Sequence, residues 1–123
     1  MNIIISNSSG EPIYEQIVSQ IRGCILRGEL KEGDALPSMR VLAAQLRISI
    51  ITTKRAYEEL EKAGLVVTVA GKGCFVGKQN TEAIRENCLR ITEQHLQAAV
   101  TEAKQGGISV EELQEMISLL YED

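Results

Sequence analysis

The 123-residue chain predicts a mostly α fold with a small β wing, in which three helices and a hairpin are followed by a C-terminal two-helix hairpin that pairs chains. Three observations carry that expectation. Ser38, released from the preceding loop by Pro37, and Ser49 stand ahead of two apolar-periodic segments with almost nothing between them, and two capped helices so close must cross steeply, as in a helix-turn-helix. Residues 65–69 are rich in β-branched side chains, and Ala70-Gly71-Lys72-Gly73 turns them back into Cys74-Phe75-Val76, a hairpin with a lysine at its tip. Beyond residue 78, apolar residues recur at heptad spacing with no domain left to cover them.

Taken in order, residues 2–6 are extended and Asn7-Ser8-Ser9-Gly10 is a flexible lead-in. Pro12 opens a first helix whose Ile13, Ile17, Ile21 and either Cys24 or Ile25 form an apolar stripe, and Arg27-Gly28 ends it. Residues 30–34 make a turn-rich connection, after which Ala35-Leu36 is expected to pair with the wing. In the second helix Val41, Leu42, Ala43 and Leu46 recur at helical spacing. In the third, Ile48, Ala56, Tyr57 and Leu60 face inward, whereas Ile50, Ile51, Thr52, Lys54, Arg55 and Glu58 share the outer surfaces. Hydroxyls and cations early in such a helix suit base edges and phosphates in a major groove.

The tail has the character of an assembly device. Ile84, Cys88, Ile91, His95 and Ala98 are spaced four, three, four and three, with Leu89, Leu96, Ala99 and Ala103 as a second stripe beside them. Gln105-Gly106-Gly107 breaks this helix, and Ser109 with Glu112 supplies a capping box inside a staple of Ile108 and Leu113. The final helix carries Val110, Leu113, Ile117 and Leu120 on one face and is expected to fold back on the long one. Two such hairpins predict a homodimer with Ile84, Cys88, Ile91, His95, Leu96, Leu113, Ile117 and Leu120 at its interface. His95 reads as an interface residue, since no second histidine exists to help it hold a metal. The division is residues 1–77 for the winged domain and 78–123 for dimerisation and any effector response.

A net charge of −4 looks wrong for a nucleic-acid binder until it is resolved along the chain. Residues 36–78 hold seven basic side chains against three acidic ones, whereas from residue 79 onward three basic face nine acidic. Phosphate neutralisation depends on local cations, so the acidic total weakens non-specific attraction without excluding DNA. No apolar run reaches the roughly 18 residues of a membrane span, and the start lacks a basic region before its short apolar run, so the expected compartment is the cytoplasm, with no membrane partner. Three cysteines without paired metal spacing favour reduced thiols, with Cys74 beside the wing the one worth testing for reactivity.

The stretch from Leu36 to Val76 resembles the DNA-binding domain of the GntR family of bacterial transcription regulators. The matching positions are Leu36, Pro37, Ser38, Arg40, Leu42, Ala43, Leu46, Ser49, Thr52, Ala56, Leu60, Gly64, Leu65, Gly71, Gly73, Phe75 and Val76, and the likeness extends upstream through Pro12-Ile13-Tyr14-Glu15-Gln16-Ile17. Short length and two C-terminal helices make the chain similar to the YtrA-like subgroup. The resemblance implies a dimeric repressor on a palindromic double-stranded operator, often of a transporter operon, with recognition helices about one DNA turn, roughly 34 Å, apart. It implies that Ser38 and Arg40 reach DNA from the start of the second helix and that Ser49, Ile50, Thr52 and Lys54 meet the groove. Gly71 and Lys72 correspond to a wing tip near the minor groove, and Arg55 and Lys31 are phosphate contacts on charge alone.

Departures from the pattern carry information too. Arg47 stands where a turn glycine is common, and a positive φ there costs on the order of 1 kcal/mol. Ile50 replaces a frequent base-contacting arginine and is suited to a thymine methyl. Thr53 takes the place of a buried aliphatic, its hydroxyl within reach of the Ser49 carbonyl. The stem of the wing lacks the usual arginines, which predicts weaker minor-groove engagement. Two other classes compete: a winged-helix module for protein contact without sequence-specific DNA binding, disfavoured by the basic, hydroxyl-rich outer face, and an enzyme, disfavoured by a single histidine and the lack of a nucleophile–base set or phosphate loop. No cofactor is called for. An unidentified small-molecule effector is compatible with the tail, and no residue pattern names it.

Overall fold

Ile17, Ile21, Cys24 and Ile25 recur at three- and four-residue intervals, and in the computed structural model, which describes residues 1–122, they line the buried face of α1 (Ile13–Leu26). That face packs on α3 (Ile50–Lys62), which answers with Thr53, Ala56, Tyr57 and Leu60. The shorter α2 (Met39–Leu46) leans on α3 through Leu42 and Ala43. Val41, expected with that apolar set, instead points to solvent, because an eight-residue helix has room to bury little more than one turn of side chains.

Both serines cap as the sequence predicts. The Ser38 hydroxyl accepts the Val41 N–H and the Ser49 hydroxyl accepts the Thr52 N–H, each at 3.2 Å. Between the helices Arg47 adopts φ 57, ψ 47, the left-handed conformation that a glycine would occupy without strain. Its penalty of about 1–2 kcal/mol is outweighed by the fully buried Ile17, Ile21 and Leu60 together, each of which contributes roughly 1.5–3 kcal/mol, so the core holds the turn in place.

The wing is an antiparallel pair, β1 (Val66–Val69) and β2 (Gly73–Val76), in the register Val66 with Val76 through Val69 with Gly73. Gly71 at φ 76 and Gly73 at φ 117 give the hairpin its reversal. Ala35 bridges Phe75, the Leu36 N–H donates to the Cys74 carbonyl at 2.9 Å and the Val76 N–H to the Asp34 carbonyl at 2.8 Å. The expected pairing of residues 35 and 36 with the wing is therefore present, and Leu36, Leu65, Val66 and Val76 close the core beneath it.

The extended N-terminal segment is held by side chains in place of a strand partner. Gln20 accepts the Ile4 N–H and donates to the Ile4 carbonyl, and Gln16 does the same for Ser6 while also donating to Ser9 Oγ and the Glu11 carbonyl. Gln16 is buried, and this ring of partners is what makes a buried amide tolerable.

The chain divides into two units, Met1–Thr81 and the part from Glu82 onward. The second unit is built of α4 (Thr81–Gly106) and α5 (Val110–Glu122). Gly107, at φ 72, stops α4, and the capping box forms reciprocally: the Ser109 N–H donates to Glu112 and the Glu112 N–H to Ser109 Oγ. One expectation is corrected. α5 does not lie back along α4; the two helices make no extended contact, and α5 buries none of its described residues. The elbow satisfies its own hydrogen bonds, including Ile108 N–H to the Ala103 carbonyl at 2.8 Å, so nothing inside one chain requires the helices to close. Three helices with a two-stranded wing, followed by two C-terminal helices, are the architecture the sequence predicts.

Candidate nucleic-acid interface

Capping decides which side chains the first unit presents. Because Ser49 holds the start of α3 and the Thr53–Ala56–Tyr57–Leu60 stripe turns inward, Ile50, Ile51, Lys54 and Arg55 are exposed and Thr52 is half-buried. Ser38 and Arg40 are exposed at the start of α2. Neither helix has an acidic residue in its first turn, so both positive ends of the helix dipoles are left open to phosphate. Each capping hydroxyl accepts a backbone N–H and keeps its own proton for donation.

The two cations of α3 differ in their surroundings. Lys54 is exposed, with Nζ 4.0 Å from the Glu58 carboxylate one turn on, a solvated pair that costs little to exchange for a phosphate. Arg55 turns toward α1: its guanidinium lies 3.9 Å over the Tyr14 ring and donates to the Tyr14 hydroxyl at 3.3 Å. That hydroxyl donates in turn to Glu15, the chief reason its pKa rises above the ordinary tyrosine value. Arg55 is thus a cation held in place on a neighbouring helix, whereas Lys54 is free to swing.

At the wing, Gly71 and Lys72 occupy the exposed turn, with the Lys72 N–H donating to the Val69 carbonyl at 2.9 Å. Val67 and Val69 are exposed along the stem, where Thr68 donates to Glu61. No cation stands on the stem, as the sequence predicts. The Thr53 hydroxyl donates to the Ser49 carbonyl at 3.2 Å, also as predicted. Lys31 is exposed in the turn before the wing pairing, and its N–H donates to the Asp34 carboxylate.

The positions expected to pair chains all lie in the second unit. Ile84 and Leu113 are half-buried, whereas Cys88, Ile91, His95, Leu96, Ile117 and Leu120 are exposed. Burial pushes the thiols of Cys24 and Cys74 above their ordinary pKa, away from the reactive thiolate. The Tyr14–Arg55 stack and the glutamine clamps were not foreseen: their partners are 5 to 41 residues apart and no local pattern joins them.

The model of bacterial regulatory proteins of the gntR family matches residues 13–76, from the start of α1 to the end of the wing. The chain belongs to the GntR family. It is 33% identical over 121 residues to the HTH-type transcriptional repressor YtrA of Bacillus subtilis, covering 98% of this chain and 93% of that one. Among solved structures, a transcriptional antiterminator from Listeria monocytogenes superposes with a TM-score of 0.75 at 30% identity, over 98% of this chain and 90% of the other. The DNA-binding domain of AraR, in complex with operator ORX1, superposes with a TM-score of 0.56 at 25% identity, over 63% of this chain and 96% of that domain. Membership makes this GntR chain a DNA-binding transcription regulator and not an enzyme. Among the described residues no helix is long and apolar enough to cross a membrane.

Proposed function

We propose that this GntR protein is a dimeric repressor that grips an imperfectly palindromic operator, one winged domain per half-site. The observation that carries the reading is the capped, acid-free start of α3, projecting hydroxyl and cationic side chains outward from a core that fixes them. The likeness to a named repressor over nearly the whole chain, and to a domain solved on its operator, supports it. In this reading Ser38, Arg40 and Arg55 hold phosphates, and Ser49, Ile50, Thr52 and Lys54 meet the major groove. Gly71 and Lys72 let the wing tip approach the neighbouring minor groove. Residues 1–77 bind DNA, and residues 78–123 pair two chains through the exposed apolar sides of α4 and α5.

The test begins with selection of bound duplexes from a random pool. On the selected operator Lys54→Ala is expected to weaken binding and relax the base preference at one position of each half-site, with dimerisation unchanged. Operator affinity and base preference equal to those of the parent protein would remove Lys54 from the interface.

A further inference from the structure

Two adjacent isoleucines open the recognition helix, and the outermost of them has no role in the reading above. Ile51 is 81% exposed and Ile50 49% exposed, as the first two residues of α3. At 100° per residue Ile51 stands on the face opposite the Thr53–Ala56–Tyr57–Leu60 stripe, one turn before Lys54 and Arg55. Single exposed apolar residues are ordinary, but a β-branched pair at the start of a helix is poorly placed for stability. A helix start favours acidic side chains, which would repel phosphate; this one has none and offers a neutral apolar tip. Lys54 lies one turn on from that tip, and Arg40, Arg47 and Lys72 are exposed elsewhere in the same unit, so the unit that carries the tip is rich in positive charge. An apolar tip on such a unit suits a polyanion that carries methyl groups inside a groove.

We propose that Ile51, together with Ile50, reads thymine 5-methyl groups in the major groove, so that the base preference of each half-site is set by apolar contact as well as by hydrogen bonds. Thymine is the base that places a methyl there; opposite cytosine or guanine an isoleucine would desolvate donors and acceptors and replace nothing. The inference rests on the DNA-binding reading, and its test separates the two.

On the selected operator, each thymine is replaced singly by deoxyuracil, which differs only in lacking the methyl. For the parent protein, one or two positions in each half-site lose affinity about fourfold, the factor that corresponds to burying one methyl group. Ile51→Ala abolishes the thymine-over-deoxyuracil preference at one such position while retaining binding to the deoxyuracil duplex, and Ile51→Val keeps much of it. With Ile51 exposed, both variants should melt as the parent does, which circular dichroism checks. Specific binding with no loss at any deoxyuracil position overturns the inference and leaves the DNA reading standing. So does a preference unchanged in both Ile50→Ala and Ile51→Ala, an outcome that would make the apolar tip a protein-docking surface. A pool that yields no enriched sequence removes the DNA reading and this inference with it.

Discussion

Tyr57 ties α3 to the loop that launches its neighbour: it is 3% exposed, and its hydroxyl donates to the Pro37 carbonyl at 2.7 Å, just ahead of the Ser38 cap. Burial, reinforced by the Cys74 thiolate, pushes its pKa far above the ordinary value of about 10. A phenol whose pKa is raised by folding holds its proton more tightly in the native state. Its contribution is therefore intact below the unfolded pKa of about 10 and lost progressively above it. Tyr57→Phe is expected to cost about 1–2 kcal/mol at neutral pH, from the lost bond to a buried carbonyl, and the gap to the parent should narrow as pH rises past about 10. Urea melts of both proteins at neutral and alkaline pH measure this; a gap that widens with pH would contradict the assignment. Residues whose behaviour follows from their immediate neighbours, such as Thr53 bonding back to Ser49 and Arg47 in the left-handed turn, were legible in the sequence. Val41 was not, because periodicity records apolar character and not how much neighbouring surface a short helix can find.

Elements begin and end here by rules that span four residues or fewer. The serine caps, the capping box at Ser109 and Glu112 and the glycine reversal of the wing could therefore be placed in advance. What joins elements is less legible when polar side chains do it, since a glutamine has no preferred partner until the fold supplies one. Gln79 shows this, donating to the carbonyls of Gly64, Leu65 and Gly77 and so clamping the base of the wing from outside it. Gln16 shows it at the other end of the unit. Gln16→Leu would leave the Ser6 N–H without its acceptor and strip a donor from three oxygens around a buried site, at an expected cost of about 1–3 kcal/mol. Hydrogen exchange should then show the Ser6 amide losing protection while the amides of β1 and β2 keep theirs; a protected Ser6 would mean that the N-terminal segment is held by something other than this amide.

On the scale of the whole molecule, charge is segregated, and exposed apolar side chains run along the tail. The surplus of basic residues falls in positions 36–78 and the acidic excess after them, and among the described residues of α5 the apolar ones at 110, 116, 117, 119 and 120 are all exposed. A tail that is acidic would repel DNA and leave the winged domain alone to bind it, while apolar sides left open on α4 and α5 gain most by meeting another copy. The elbow at Gly107 leaves open the sides that the sequence pattern predicts to close within one chain, so they remain available to the second copy proposed above. Ile117→Lys combined with Leu120→Lys places two charges on that surface where Leu120 is 74% exposed, so the single chain has no reason to unfold. The variant is expected to sediment as a monomer, to bind a duplex carrying one half-site as the parent's single domain does, and to lose about 10²–10⁴ in affinity for the full operator, the factor contributed by linking two binding modules. A variant that is still dimeric would move the pairing surface away from the end of α5, and a monomer that retained full operator affinity would show that each winged domain binds without help from a second.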